Sequence, residues 1–154
     1  MTSDRLYPTR PFLAASVAVF RDGRVLLAAR GRPPSKALFS LPGGLVEPGE
    51  TLAEAALREL TEETGIRAGI FAFLAPVEII ERDGDGRVRH HFVVCAHAAR
   101  WIDGEPRPGA EATALRWVGR DEIAKDHVAG LETTLGLSDI LRQAFALHDA
   151  RFAR

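Results

Sequence analysis

Apolar and polar positions change their period several times along this chain, and each change predicts an element. Phe12 to Phe20, rich in Val and Ala, reads as a first strand after a lead-in over residues 1–11 that closes on Pro11. Arg21-Asp22-Gly23-Arg24 is a hairpin signal, and Val25 to Ala29 returns as the partner strand. Gly31, Pro33 and Pro34 make Arg30 to Lys36 a loop. Ala37 to Leu41 is a short strand ended by Pro42-Gly43-Gly44. The clearest helix runs from Thr51 to Thr64. Leu52, Ala56 and Leu60 form its apolar stripe, Thr51 and Glu54 a capping box, and Gly65 its stop.

Strand character resumes over Phe71 to Glu81. Asp83-Gly84-Asp85-Gly86 predicts a second hairpin, and Arg87 to Ala99 the returning strand. Gly104 to Gly109 is a loop with two prolines. Ala114 to Val118 is a short strand, Arg120 to Lys125 a short helix or turn, and Leu137 to His148 an amphipathic final helix. No repeat or long linker divides the sequence. Strands and helices mixed in this order predict one α+β domain over 1–154, with its core at about 11–148 and a mixed central sheet.

Composition narrows the function classes. Apolar residues make up 46% of the 154, enough for a substantial core, and the formal charge of -1 lacks the basic excess expected of a nucleic-acid or anionic-membrane binder. No run approaches the roughly 18 apolar residues of a membrane span. The single cysteine, Cys95, forms no internal disulfide and reads as a buried thiol. With no signal-peptide pattern before the first strand, a cytoplasmic protein is expected.

Chemistry concentrates between Gly43 and Ile66, where the sequence reads GGLVEPGETLAEAALRELTEETGI. Glu59, Glu62 and Glu63 stand three and four residues apart, so they project from one side of the helix. Their charges repel, only Arg58 answers nearby, and they sit at the negative end of the helix dipole. A divalent cation would turn that conflict into a binding site, and carboxylate oxygens suit Mg²⁺ with Mn²⁺ as substitute. Gly43-Gly44 is not a P-loop, because no Gly-Lys-Ser/Thr follows. The histidines are scattered, and His90 and His91 must face apart if both lie in a strand.

The segment resembles the Nudix box. That signature is a glycine, five residues, a glutamate, seven residues, then Arg-Glu-apolar-x-Glu-Glu-x-Gly-apolar. Gly44, Glu50, Arg58, Glu59, Leu60, Glu62, Glu63, Gly65 and Ile66 match it without departure. The resemblance implies an α/β/α sandwich and metal-assisted hydrolysis of a nucleoside diphosphate linked to another moiety. It implies Glu59, Glu62 and Glu63 as metal ligands, with a carbonyl at Gly43 or Gly44 as a further one. It also implies a Glu50–Arg58 pair that sets the loop against the helix. The general base is implied to be Glu62 or Glu63, or Glu111 on a later loop, with Glu78 and Glu81 as weaker options.

For the substrate, Arg89-His90-His91-Phe92-Val93-Val94 and the alanine-rich strand end after it look like those of small prokaryotic ADP-ribose pyrophosphatases. ADP-ribose or a related nucleotide sugar is therefore expected. Arg30, Arg32, His91 and Phe39 are the candidate substrate contacts. A pyrophosphohydrolase of oxidised or non-standard nucleoside triphosphates fits the same box. So does a non-catalytic nucleotide-sensing module, although such domains usually carry a broken box. Homodimers are common among such relatives, so the resemblance allows a homodimer.

Overall fold

A computed structural model describes residues 5–31 and 37–152. Among them, seven strands form one sheet: β1 (Phe12–Arg21), β2 (Arg24–Arg30), β3 (Phe39–Ser40), β4 (Gly43–Leu45), β5 (Arg67–Arg82), β6 (Val88–Asp103) and β7 (Ala112–Gly119). Helix α1 (Leu52–Thr64) lies between β4 and β5, and α2 (Leu137–Phe152) ends the described chain. The sheet order is β3-β2-β1-β6-β5, with β4 added to β1 and β7 to β2. β1 and β6 run parallel, while the other pairs are antiparallel, so the sheet is mixed.

β1 is the axis of the fold because its two edges are shared. On one edge it pairs with β6 along its length, from Phe12 opposite Phe92 to Phe20 opposite Arg100. On the other, its end pairs with β2 through the Asp22-Gly23 turn, and its start pairs with β4. Asp22 (φ 52°) and Gly23 (φ 75°) supply the two positive φ values that a tight two-residue hairpin needs.

Strand alternation then builds two cores. Ala18 and Phe20 face α2 and pack with Leu27, Val118, Leu141, Ala144 and Phe145. Ala15, Val17 and Val19 face α1 and pack with Leu26, Ala55, Ala56, Leu60 and Ile66. The result is an α/β/α sandwich. No helix among the described residues is long and apolar enough to cross a membrane.

Several sequence expectations change in detail. The short strand ends at Ser40, before Pro42 as expected, but the glycines that follow open a further strand. Gly43–Leu45 pairs with Ala14–Ser16, because a backbone without side chains can lie close against β1. The strands of the second hairpin run to Arg67 and Asp103, beyond the apolar runs that announced them, since each supplies the other's backbone partners. Arg120–Glu122 is a single 3-10 turn, and residues 32–36 of the expected loop lie outside the described ones.

Leu141 is fully buried in the α2 core. Leu141→Ala should lower unfolding free energy by about 2–5 kcal/mol, read by urea titration. A loss below about 1 kcal/mol would show that α2 contributes little to the sheet's stability.

Candidate active site

The acidic helix is fixed at both ends by its own sequence. Thr51 Oγ1 accepts the Glu54 N–H at 3.1 Å, and Glu54 Oε1 accepts the Thr51 N–H at 2.8 Å. At the other end Gly65 takes φ 80°, and its N–H reaches the Thr61 carbonyl at 2.8 Å. Ala55, Ala56 and Leu60 bury one face, which leaves Glu59 and Glu63 against β4 and the cleft, with the exposed Glu62 beside them.

Arg58 ties this helix to the preceding loop. Its Nε donates to Glu50 Oε2 at 2.6 Å and its Nη2 to Glu50 Oε1 at 2.9 Å, a bidentate pair. Nη2 also donates to the Leu45 carbonyl at 3.0 Å. Nη1 reaches Glu59 Oε1 at 3.1 Å and Glu62 Oε2 at 3.2 Å. The guanidinium holds Glu50 down at about 2, with the Glu47 backbone N–H assisting. The expected Glu50–Arg58 pair is therefore present, at the centre of a wider network.

Glu63 has the opposite surroundings. Burial, reinforced by the Glu59 charge, pushes its carboxyl up to about 8, while Arg30 and the Gly43 backbone pull it back. Glu59 is also raised, first by burial, against the pull of Arg58. Gly44 makes this crowding feasible: a Cβ there would run into the Glu59 carboxylate. At Gly43 a Cβ would meet the Ala15 carbonyl and lie 2.8 Å from Ser16 Cα. The two glycines let β4 thread between β1 and the acids.

Two clefts meet along β4. The polar one is lined by Glu47, Arg58, Glu59, Glu63 and Glu111. The apolar one lies toward α2 and is lined by Val77, Ile79, Phe92, Val94, Leu135 and Ile140 among others. Arg5, Arg30, Gly43, Gly44 and Leu45 border both. Glu111 reaches its wall through an irregularity in the β2–β7 ladder, where Arg30 pairs with Ala112 and the Gly31 N–H donates to the Glu111 carbonyl at 3.0 Å.

Most expected site residues thus converge. Glu50, Arg58, Glu59, Glu62, Glu63, Gly43, Arg30 and Glu111 stand at or beside the polar cleft. Two expected substrate contacts do not. Phe39 packs against the α2-side core beside the Ala29 strand pair. His91 has the opposite strand parity to Phe92 and Val94, which do line the apolar cleft, so its ring points to the other sheet face. Arg32 lies outside the described residues. Glu81 is engaged by His90 at 2.8 Å, and Glu78 stands exposed opposite Val93. Arg5, read from sequence only as lead-in, is the addition; no local pattern marks it.

The donor set fits a hard divalent cation. It is all oxygen, and burial together with the neighbouring carboxylates raises Glu63 and Glu59, two effects that a bound cation would relieve. Among the described residues no three acidic, His or Cys side chains already converge as a closed cage. Arg58 occupies one oxygen each of Glu59 and Glu62.

Known proteins resemble this chain in sequence and in fold. The NUDIX domain matches residues 10–135. An ADP-ribose pyrophosphatase of Methanocaldococcus jannaschii is 33% identical over 121 residues, covering 79% of this chain and 69% of that protein. A putative 8-oxo-dGTP diphosphatase 2 of Mycobacterium tuberculosis is 36% identical over 108 residues, or 69% of this chain and 72% of that protein. The crystal structure of a MutT NUDIX hydrolase from Burkholderia pseudomallei superposes with a TM-score of 0.73 at 31% identity, covering 87% of this chain and 98% of that one.

The depressed Glu50 carboxyl gives a pH signature. Its folded value of about 2 lies below the ordinary 4.5, so the pair's stabilisation is complete above about 4.5 and is lost as pH falls toward about 2. Glu50→Gln should melt below wild type at pH 7, with the gap narrowing across that window. A gap that stays constant from neutral to acid pH would rule out charge pairing as its source.

Proposed function

The chain belongs to the NUDIX family, and on that premise we propose that it hydrolyses the phosphoanhydride bond of a nucleoside diphosphate derivative, with ADP-ribose or a related nucleotide sugar favoured. It is a pyrophosphohydrolase, and enzymes of this family need divalent metal. The observation that carries the substrate class is the pair of joined clefts. An apolar space suited to a nucleobase opens along β4 into an acidic space suited to phosphates and their cation.

Glu59, Glu63 and Glu62, with the Gly43 carbonyl, would hold the metal, and Mg²⁺ with Mn²⁺ as substitute suits their oxygen donors. When bound, the metal supplies charge neutralisation at the phosphates and a more acidic water. Arg58 and Glu50 act as positioning residues, keeping Glu59 and the loop at one fixed separation. Arg30, whose charge acts on Glu63, contributes cationic stabilisation to a bound phosphate. Glu111 lines the same polar cleft, close enough for its charge to act on Glu59 and Glu63, and we assign it the removal of the proton from the attacking water. In-line attack of that water on phosphorus forms the new P–O bond as the bridging P–O bond breaks, leaving two phosphate products.

Support for ADP-ribose comes from the relative that bears that activity in its name, and the 8-oxo-dGTP diphosphatase relative keeps triphosphates as the second reading. A panel of ADP-ribose, other nucleotide sugars, dGTP and 8-oxo-dGTP with Mg²⁺ separates them. AMP and ribose 5-phosphate at the highest kcat/KM are expected; preferential release of pyrophosphate from a triphosphate would replace the substrate reading. Chelator should abolish turnover. Glu59→Gln should lower kcat by several orders of magnitude and Glu111→Gln by about 10²–10⁴, both without loss of fold. Gly44→Ala should remain folded but lose about 10²-fold, because its methyl displaces the Glu59 carboxylate. Wild-type turnover in Gly44→Ala would mean that the Glu59 position is not critical.

A further inference from the structure

The segment before β1 is strapped to the β5–β6 hairpin in a way that the hydrolytic site does not explain. The Tyr7 N–H donates to the Arg89 carbonyl at 2.9 Å, joining the segment to β6 just past the β5–β6 turn. The Asp83 carboxylate lies beside the Tyr7 phenol, and this pairing lifts the phenol above its ordinary pKa and lowers that of the acid. Asp83 is itself fixed, because its Oδ1 accepts the Asp85 and Arg87 N–H groups at 2.9 and 3.0 Å. The Arg87 guanidinium covers the Tyr7 ring at 4.3 Å from its centroid. Tyr7 also takes φ 49°, a left-handed conformation that a bulky residue adopts only under strain. The Arg89 carbonyl, the Arg87 guanidinium and the neighbouring Asp83 carboxylate therefore hold a strained residue in place.

What this latch delivers is Arg5. Two residues earlier, the half-buried Arg5 side chain borders both the apolar and the acidic cleft, at the seam formed by Gly43, Gly44 and Leu45. Among the described residues its guanidinium has no hydrogen-bond or ion-pair partner, although carboxylates line the next wall. A ligand whose nucleoside fills the apolar cleft and whose scissile bond lies by Glu63 must carry a phosphate across this seam. A guanidinium there meets it with paired, charge-assisted donors.

We propose that Arg5 binds the nucleoside-side phosphate of the substrate, and that the Tyr7–Asp83–Arg87 latch is the positioning device that holds it there. The assignment rests on the nucleoside diphosphate reading above. It makes the segment before β1 part of the binding site, with the β5–β6 turn as its anchor.

The test measures KM and kcat on ADP-ribose with Mg²⁺, and the Kd of ADP in chelator by calorimetry. It compares wild type with Arg5→Ala, Arg5→Lys, Tyr7→Ala, Tyr7→Phe and Arg5→Ala/Tyr7→Ala. Arg5→Ala should raise KM and the ADP Kd by about tenfold or more, with kcat within about threefold, since the contact is shared by ground and transition states. Arg5→Lys should recover part of the loss. Tyr7→Ala should raise both constants in wild type but add nothing in the Arg5→Ala background, which a purely structural latch would not produce. Tyr7→Phe, which keeps the ring under Arg87, should have a smaller effect. Unchanged KM and ADP Kd in Arg5→Ala, with wild-type turnover intact, would overturn the Arg5 assignment alone. A wild type that turns over no nucleoside diphosphate derivative, yet loses ADP affinity on Arg5→Ala, would overturn the substrate reading and leave Arg5 as the phosphate contact. Loss of both constants equally in Tyr7→Ala and in the double variant beyond Arg5→Ala would reject the latch as a positioning device.

Discussion

One guanidinium sets the geometry on which the acidic site depends. Arg58 has five N–H donors, and five acceptors answer them: two oxygens of Glu50, the Leu45 carbonyl, and one oxygen each of Glu59 and Glu62. These acceptors come from β4, from the loop after it and from α1, three pieces whose relative placement defines the cleft. A lysine could not hold them together, because an ammonium has three donors and no planar fork. Arg58 also offsets part of the repulsion among carboxylates placed at the wrong end of a helix dipole, where no basic residue occupies the last turn. Its reach stops short of Glu63, and that carboxyl carries the largest upward shift in the site.

Around this centre, β1 divides the molecule into two faces, and the functional clefts lie where the faces join. Alternate β1 side chains bury α1 on one side and α2 on the other. β4 crosses that division at the one place where two consecutive glycines permit a close backbone approach. An enzyme that must read an apolar nucleoside and act on a polar diphosphate needs adjacent surfaces of both characters. A sandwich supplies them at the edge of its central strand, with few residues shared between the two spaces.

Sequence patterns revealed local structure far better than tertiary placement. The capping box, the Gly65 stop and both hairpin turns appear as read, since each is governed by contacts within a few residues. The spacing of Glu59, Glu62 and Glu63 likewise fixed their common side of α1. β4 escaped notice because Gly43 and Gly44 have poor intrinsic strand preference, and only β1 makes them a strand. The His90–His91 pair showed that one ring must point away, but not which sheet face would be covered. The answer depends on the register of β6 against β1, eighty residues apart in sequence. Phe39 looked available because an aromatic so near the box could flank a base, yet it packs into the α2 core. Arg5 has no periodic context at all, and its position depends on Tyr7 reaching a turn more than seventy residues away.

The long parallel pairing of β1 with β6 also orders the events of folding. The β5–β6 hairpin joins near neighbours around a four-residue turn, and α1 needs only its own caps to begin. Joining β1 to β6, by contrast, closes a loop of about eighty residues, so its entropy must be spent before any ladder bond returns it. Mutations in that ladder should therefore give low φ-values, and hairpin mutations higher ones. The chain would own its acidic helix early and acquire the β6 wall of the apolar cleft, at Phe92 and Val94, only once this ladder forms. Until then the acids of α1 stand without the apolar space beside them.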